Sequence, residues 1–77
     1  MNRGTTNVPT GRVVAFDERR GLGEIEADGG ARYAFHCTQI ADGTRTIAVD
    51  ARVAFTVAPG LLGRWEATEV EPAAEKA

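Results

Sequence analysis

The architecture follows from one short stretch, Arg20-Gly21-Leu22-Gly23-Glu24-Ile25, which comes after the strand-like run Arg12-Val13-Val14-Ala15-Phe16-Asp17 and a charged turn. Its two glycines alternate with side chains that must share one face of a sheet. A glycine inside a strand is typical of a place where another backbone segment approaches closely. The stretch therefore predicts one wall of a small barrel and no catalytic element.

The length of the chain limits what it can build. Its 77 residues are enough for one domain, and a domain of this size buries only about 60% of the surface that its unfolded chain exposes. A single cysteine, Cys37, excludes an internal disulfide, and a single histidine, His36, leaves no zinc-ligand set of recognisable spacing. We therefore expect the protein to fold on its hydrophobic core alone, with no metal and no cofactor.

Charge and hydropathy limit the classes of partner. Eleven acidic and nine basic residues give a net charge of -2, so no global field attracts polyphosphate, and any nucleic-acid binding has to be local. No apolar run approaches the roughly 18 residues of a membrane span. Residues 1–10 lack the apolar centre of a signal peptide. We expect no membrane association and a cytoplasmic location.

Alternation of apolar and polar residues predicts five short strands. Their expected bounds are 12–17, 22–27, 31–37, 52–57 and 63–71, with a helical turn at 38–40. The fifth strand should be irregular, because Ala67 and Val70 cannot both point inward without a bend. We expect residues 1–10 to form a flexible leader, residues 11–71 the folded domain and residues 72–77 a frayed tail.

The inward positions of these strands predict the core. Its expected members are Val13, Ile25, Phe35, Val53, Phe55 and Val57, with Tyr33 on the same face as Phe35. Five short strands with no long helix and no internal repeat favour a closed or nearly closed antiparallel barrel.

Four separated segments carry a resemblance to a known family. They are 11–17, 20–25, 35–40 and 53–55, with Gly60, Gly63, Ala67 and Val70. Together they resemble a cold-shock domain from Gly11 to Val70, with about one residue missing near Asp42 and one extra near Leu62. The resemblance implies a five-stranded antiparallel OB-fold barrel of cold-shock type. It also implies binding of single-stranded RNA or DNA, by stacking bases on aromatic side chains flanked by basic residues.

The chain departs from this family in the stacking residues. Non-aromatic residues stand at the usual aromatic positions: Ala15, Leu22, Glu24, Ala34, Cys37 and Thr44. Stacking contributes about 1 to 3 kcal/mol per base, and each 1.4 kcal/mol is tenfold in affinity, so we expect weak binding. Glu24 adds a carboxylate to the middle of the face where phosphates would lie.

The expected nucleic-acid site combines what remains of the platform with nearby arginines: Arg12, Phe16, Arg20, Leu22, His36, Arg64 and Trp65. Each has a structural alternative. His36 is equally well explained as an exposed strand residue without a role, and Phe16 as half-buried framework. The arginines can pair with Asp17, Glu24 or Glu26 instead of phosphate, and Trp65 can cap the end of the barrel.

A second function remains open beside nucleic-acid binding. Most of the former platform is aliphatic, and the loop after the fourth strand carries Leu61, Leu62 and Trp65. A contiguous exposed apolar patch usually marks a protein contact, so the alternative is an OB-fold module for a protein partner or a homodimer. Cys37 and His36 suggest a thiol nucleophile, but neighbouring residues of one strand point to opposite faces. We therefore expect no enzyme.

Overall fold

The computed structural model describes residues 9–41, 43, 46–60 and 63–73. These residues form five β-strands and one 3-10 turn: β1 (Thr10–Asp17), β2 (Leu22–Ala27), β3 (Arg32–His36), a 3-10 turn (Cys37–Gln39), β4 (Arg52–Pro59) and β5 (Trp65–Pro72). The strands close into a barrel in the order β1-β2-β3-β5-β4. Within the described ranges no helix is long and apolar enough to cross a bilayer.

The barrel is mixed, so the expectation of a purely antiparallel sheet is wrong. Four neighbouring pairs run antiparallel, but β3 and β5 run parallel at the pair Ala34–Glu66, and an isolated parallel bridge joins Ile40 to Val70. The reason is geometric. Five strands closed into a ring cannot alternate in direction all the way round, so at least one neighbouring pair has to be parallel.

The observed strand ends differ from the predicted ones where long-range pairing extends or shortens a strand. Strand β1 begins two residues early, and the N–H of Phe55 donates to the carbonyl of Pro9 at 3.0 Å. Strand β3 ends at His36, and the 3-10 turn begins at Cys37 rather than at residue 38. Strand β5 runs to Pro72. The remainder of the predicted leader and tail, residues 1–8 and 74–77, lies outside the described residues, as do Asp42, Thr44, Leu61 and Leu62.

The core has eight buried apolar residues among those described: Val13, Ile25, Phe35, Ile40, Val53, Phe55, Ala67 and Val70. Five of the six predicted core residues are confirmed, whereas Val57 is only half-buried against the cluster. Tyr33 is also half-buried, and its ring packs on Phe55 with the centroids 5.8 Å apart. Sequence alternation therefore identified most of the interior.

Strand β5 contains the predicted bend. Ala67 and Val70 are both 0% exposed. Pairing with β4 shifts by one residue between Thr56–Thr68 and Ala54–Glu71, and Glu69 adopts a positive φ of 51°. An extra residue in one strand is a β-bulge, which lets two residues three positions apart face the same side.

A second bulge, at Val14, changes the outer face of β1. Val13 pairs with Ile25, but Ala15 already pairs with Glu24. Alternation therefore restarts after Val14, so Ala15 is exposed while Phe16 is half-buried against the core. The bulge thus turns the Phe16 ring toward the interior.

Close approach at Gly23 comes from side chains and not from backbone, contrary to the expectation for the glycine-containing stretch. A Cβ at Gly23 would overlap the ring of Phe35 and lie 2.9 Å from Cδ1 of Phe16. The missing side chain therefore makes room for two aromatic rings inside the barrel.

Candidate nucleic-acid interface

The outer faces of β2 and β3 form the centre of the candidate site. Leu22 lies opposite His36, Glu24 opposite Ala34 and Glu26 opposite Arg32. Leu22 is 46% exposed, and Ala34 and His36 are exposed as well. The predicted outward direction of Leu22 and Ala34 is therefore confirmed, and their neighbours across the strands are now known.

Strand β5 extends this face beyond β3. The parallel pair Ala34–Glu66 brings the start of β5 beside the middle of β3. Trp65 precedes Glu66 and pairs with Pro59, and the turn between β4 and β5 is closed by a 2.6 Å hydrogen bond from the N–H of Gly60 to the carbonyl of Arg64. Trp65 is 60% exposed. The hairpin thus presents the tryptophan on the surface, so it does not cap the barrel.

Two adjoining grooves lie on this face. The first, here the Trp65 groove, has a volume of about 430 Å³; it is lined on one side by Glu24, Arg32, Tyr33 and Ala34 and on the other by Arg64, Trp65 and Glu66. The second, here the His36 groove, has a volume of about 290 Å³ and is lined by Leu22, Ala34, Phe35, His36 and Glu66. Since Ala34 and Glu66 line both grooves, the two grooves join into one continuous path. Leu22, His36, Arg64 and Trp65 are the predicted site residues that the structure brings together.

His36 is held by the turn that follows it. Its Nδ1 accepts a hydrogen bond from the N–H of Thr38 at 3.2 Å and lies 3.0 Å from the Thr38 hydroxyl. In a neutral imidazole, an Nδ1 that accepts leaves the proton on Nε2. The ring therefore offers one N–H donor at the edge of the His36 groove.

The argument that His36 and Cys37 point to opposite faces is wrong. Sγ of Cys37 lies 3.9 Å from Nδ1 of His36, because Cys37 begins the 3-10 turn and does not continue the strand. However, the same Nδ1 is already engaged by Thr38. The Cys37 thiol therefore lies near the His36 imidazole, but the accepting nitrogen of that ring is already used by Thr38 and cannot take the thiol proton.

Phe16 belongs to the framework more than to the surface. Its ring stacks on Phe35 with the centroids 6.0 Å apart and the planes 12° apart. This geometry matches the alternative in which Phe16 is half-buried support for the face.

Arg12 and Arg20 lie away from the joined grooves. Arg12 is 3.8 Å from both Glu26 and Asp50. Arg20 lies in the turn before β2, where its backbone N–H donates to the Asp17 carboxylate at 3.3 Å. The guanidinium groups of Arg20 and Arg64 make no ion pair within the described part of the chain. Of the predicted arginines, Arg64 is therefore the one that lines the Trp65 groove and makes no ion pair within the described part of the chain.

One feature of the face matches an alternative that the sequence left open, and one was not predicted. Arg32 lies 3.6 Å from Glu24, which partly neutralises the carboxylate expected to repel phosphate. Glu66 lines both grooves, although its position depends on the parallel pairing of β3 with β5. The sequence placed Glu24 and Arg32 on outward positions of adjacent strands, which was a usable signal. It held no comparable signal for Glu66.

A separate polar cluster ties β1, β4 and the turn after β2 at the other end of the barrel. Arg52 donates two hydrogen bonds to Asp28, at 2.8 and 3.1 Å, and the Thr10 hydroxyl donates to the same carboxylate. The bonds from Arg52 and then Thr10 lower the pKa of Asp28 to about 2. With every polar atom of the carboxylate paired, this cluster is structural.

Comparison of the chain with protein-family models and with curated proteins gives no match. Among the described residues, no three His, Cys, Asp or Glu side chains are grouped closely enough to hold a metal ion. The functional interpretation therefore depends on the grooves and on the motif spacing.

Proposed function

We propose that this protein binds single-stranded RNA or DNA weakly, as a divergent barrel of the cold-shock OB type. The strand order β1-β2-β3-β5-β4 of the closed barrel is compatible with an OB fold, and the four resembling segments support the cold-shock assignment. The observation that carries the proposal is the continuous path formed by the two grooves, with an exposed tryptophan and an unpaired arginine at one end and a histidine donor at the other.

Each element of the path suits a different part of a nucleotide. The Trp65 indole offers a face on which any base can stack, which contributes about 1 to 3 kcal/mol. Arg64 can pair with a phosphate, since the guanidinium fork matches phosphate oxygens. The Nε2 proton of His36 can be donated to a phosphate or a base carbonyl.

The same face explains why binding should be weak. Among the described residues, Trp65 is the one exposed aromatic side chain, at 60%, whereas Tyr33 in the same groove is half-buried and packs on Phe55. The stacking energy is therefore limited to about one base. Glu24 adds negative charge to the Trp65 groove and Glu66 to both grooves, and the net charge of -2 gives no long-range attraction. We expect binding in the micromolar range at low salt.

The direct test is a low-salt titration with labelled single-stranded oligonucleotides of mixed sequence, followed by anisotropy and by Trp65 fluorescence. Affinity should fall as salt is raised, with a slope that reports the number of phosphates contacted. Arg64→Gln should weaken binding and reduce that slope. Arg19→Gln is the matched control, because Arg19 is also exposed but lines neither groove.

The alternative, a protein-interaction or homodimer module, is favoured by one observation. Leu22 is a large aliphatic side chain, 46% exposed at the edge of the His36 groove, and such a surface suits a protein contact.

If the face is a self-contact, sedimentation should show a concentration-dependent dimer that Leu22→Lys disrupts, because an ammonium buried without a partner is costly. A monomer at every accessible concentration would remove the homodimer version. No oligonucleotide binding at hundreds of micromolar would favour a foreign protein partner.

A further inference from the structure

The Trp65 groove differs chemically from a general stacking surface, because it combines the aromatic residues Tyr33 and Trp65 with two carboxylates. The carboxylate of Glu24 is already paired with Arg32 at 3.6 Å. Glu66 makes no ion pair and no side-chain hydrogen bond within the described part of the chain. The groove therefore holds one carboxylate that is available to a ligand.

The position of Glu66 is supported by its surroundings. Its side chain is half-buried, and a Cβ at Gly60 would overlap the carboxylate. The Glu66 carboxylate therefore lies directly against Gly60. Its backbone is held by the pairs with Ala34 on β3 and Ala58 on β4. The carboxylate lies on a strand paired on both sides, not on a free loop.

An ionised carboxylate only accepts hydrogen bonds, and this restricts which base it can hold. The Watson–Crick edge of guanine carries two adjacent donors, N1–H and the 2-amino group, which match the two carboxylate oxygens. Thymine and uracil carry a single N–H between two carbonyl oxygens, and those oxygens are repelled by a carboxylate. Single-stranded bases are read on this edge while they stack on aromatic side chains.

We propose that the Trp65 groove is a guanine subsite, in which an unpaired guanine stacks on Trp65 and donates N1–H and the 2-amino group to Glu66. This inference rests on the proposed function and specifies the base at one position of the strand. Arg64 then contacts the phosphate of the same or the adjacent nucleotide. In this proposal the preference for guanine comes from the Glu66 carboxylate, and Trp65 supplies the stacking surface.

The test uses the full chain and a set of short oligothymidines that differ only at the central position: guanine, hypoxanthine or thymine. Hypoxanthine keeps N1–H but lacks the 2-amino group. A bidentate base contact discriminates against bases that cannot form it, so the guanine oligonucleotide should bind about tenfold more tightly than the thymine one, with hypoxanthine between them. Trp65 fluorescence should change most with guanine.

Glu66→Gln should reduce the preference for guanine and leave the affinity for all-thymine strands unchanged or slightly higher. Glu71→Gln is the control, because Glu71 is exposed on the same strand and lines neither groove. Equal binding of the three oligonucleotides would overturn the guanine subsite while leaving the proposed function standing. A preference that persists in Glu66→Gln would also overturn it. Failure of every oligonucleotide to bind would overturn the proposed function and the subsite together.

Discussion

Phe16 and Phe35 stack nearly parallel, with centroids 6.0 Å apart and planes 12° apart, over a position that carries no side chain, Gly23. The pair links the bulged strand β1 to β3 across β2. It therefore supports, from inside the barrel, the strands that carry the His36 groove.

Gly23→Ala should destabilise the protein, because the new Cβ would overlap the Phe35 ring. Overpacking of this kind costs typically 1 to 3 kcal/mol, measurable as a lower midpoint in urea. Gly29→Ala is the matched control: a Cβ there has no atom within 4 Å, and φ is not positive. Equal midpoints for the two variants would show that the rings do not pack over Gly23 as described.

Phe55→Ala should largely unfold the domain. Phe55 is among the largest fully buried side chains and contacts Tyr33. Truncating a buried phenylalanine costs about 3 to 5 kcal/mol, which is a large share of the stability of so small a domain. Thermal melting by circular dichroism measures the effect, with Val49→Ala as an exposed-site control. A melting temperature within a few degrees of the parent would mean that the barrel register is wrong.

Asp28→Asn should make stability less sensitive to acid. Arg52 and Thr10 lower the pKa of Asp28 from 3.8 to about 2, so the ionised carboxylate stabilises the folded state above pH 3.8. That contribution is lost as pH falls through about 2. Urea unfolding between pH 4 and pH 2 should therefore show a shallower decline in Asp28→Asn than in the parent. Glu71→Gln should retain the parental decline, and identical slopes for the two variants would contradict the assignment.

Adding aromatic side chains to the outer face should strengthen single-strand binding. Glu24 and Ala34 face each other across β2 and β3, so Glu24→Phe with Ala34→Phe adds two adjacent rings to the outer face. The expected gain is about 1 to 3 kcal/mol per stacked base, read from oligonucleotide titration. Glu24→Gln is the control, since it also releases Arg32 from its ion pair but adds no stacking surface. Should the double variant fold normally and bind no better than this control, the face is not a base platform.

Local sequence patterns were sufficient to predict which residues form the core, but not how neighbouring strands align with each other. Alternation identified Val13, Ile25, Phe35, Val53 and Phe55 as core, because burial of one strand face depends on neighbours along the chain. The spacing of Ala67 and Val70 also predicted the bend in β5, which the structure forms by a bulge. The bulge at Val14 was missed, since either register of β1 offers an apolar side chain to the core.

The candidate site was predicted in part for the same reason. Leu22 and His36 were recognisable from the strands on which they lie. Glu66 and the Trp65 groove were not, because they depend on β5 pairing with a strand about thirty residues away in the chain. The contact between His36 and Cys37 was missed because strand β3 ends one residue earlier than its sequence pattern suggests.

The pairing of β5 with both β3 and β4 has a consequence for how the protein reaches its native state. Until residues 65–72 are in place, β3 and β4 each present an unpaired edge, and such edges invite pairing with other chains. Docking of β5 covers both edges of a ring whose contacts are mostly distant in sequence, a topology associated with slow folding. Conditions that delay this step should favour aggregation, and conditions that hasten it should improve the yield of monomeric barrel.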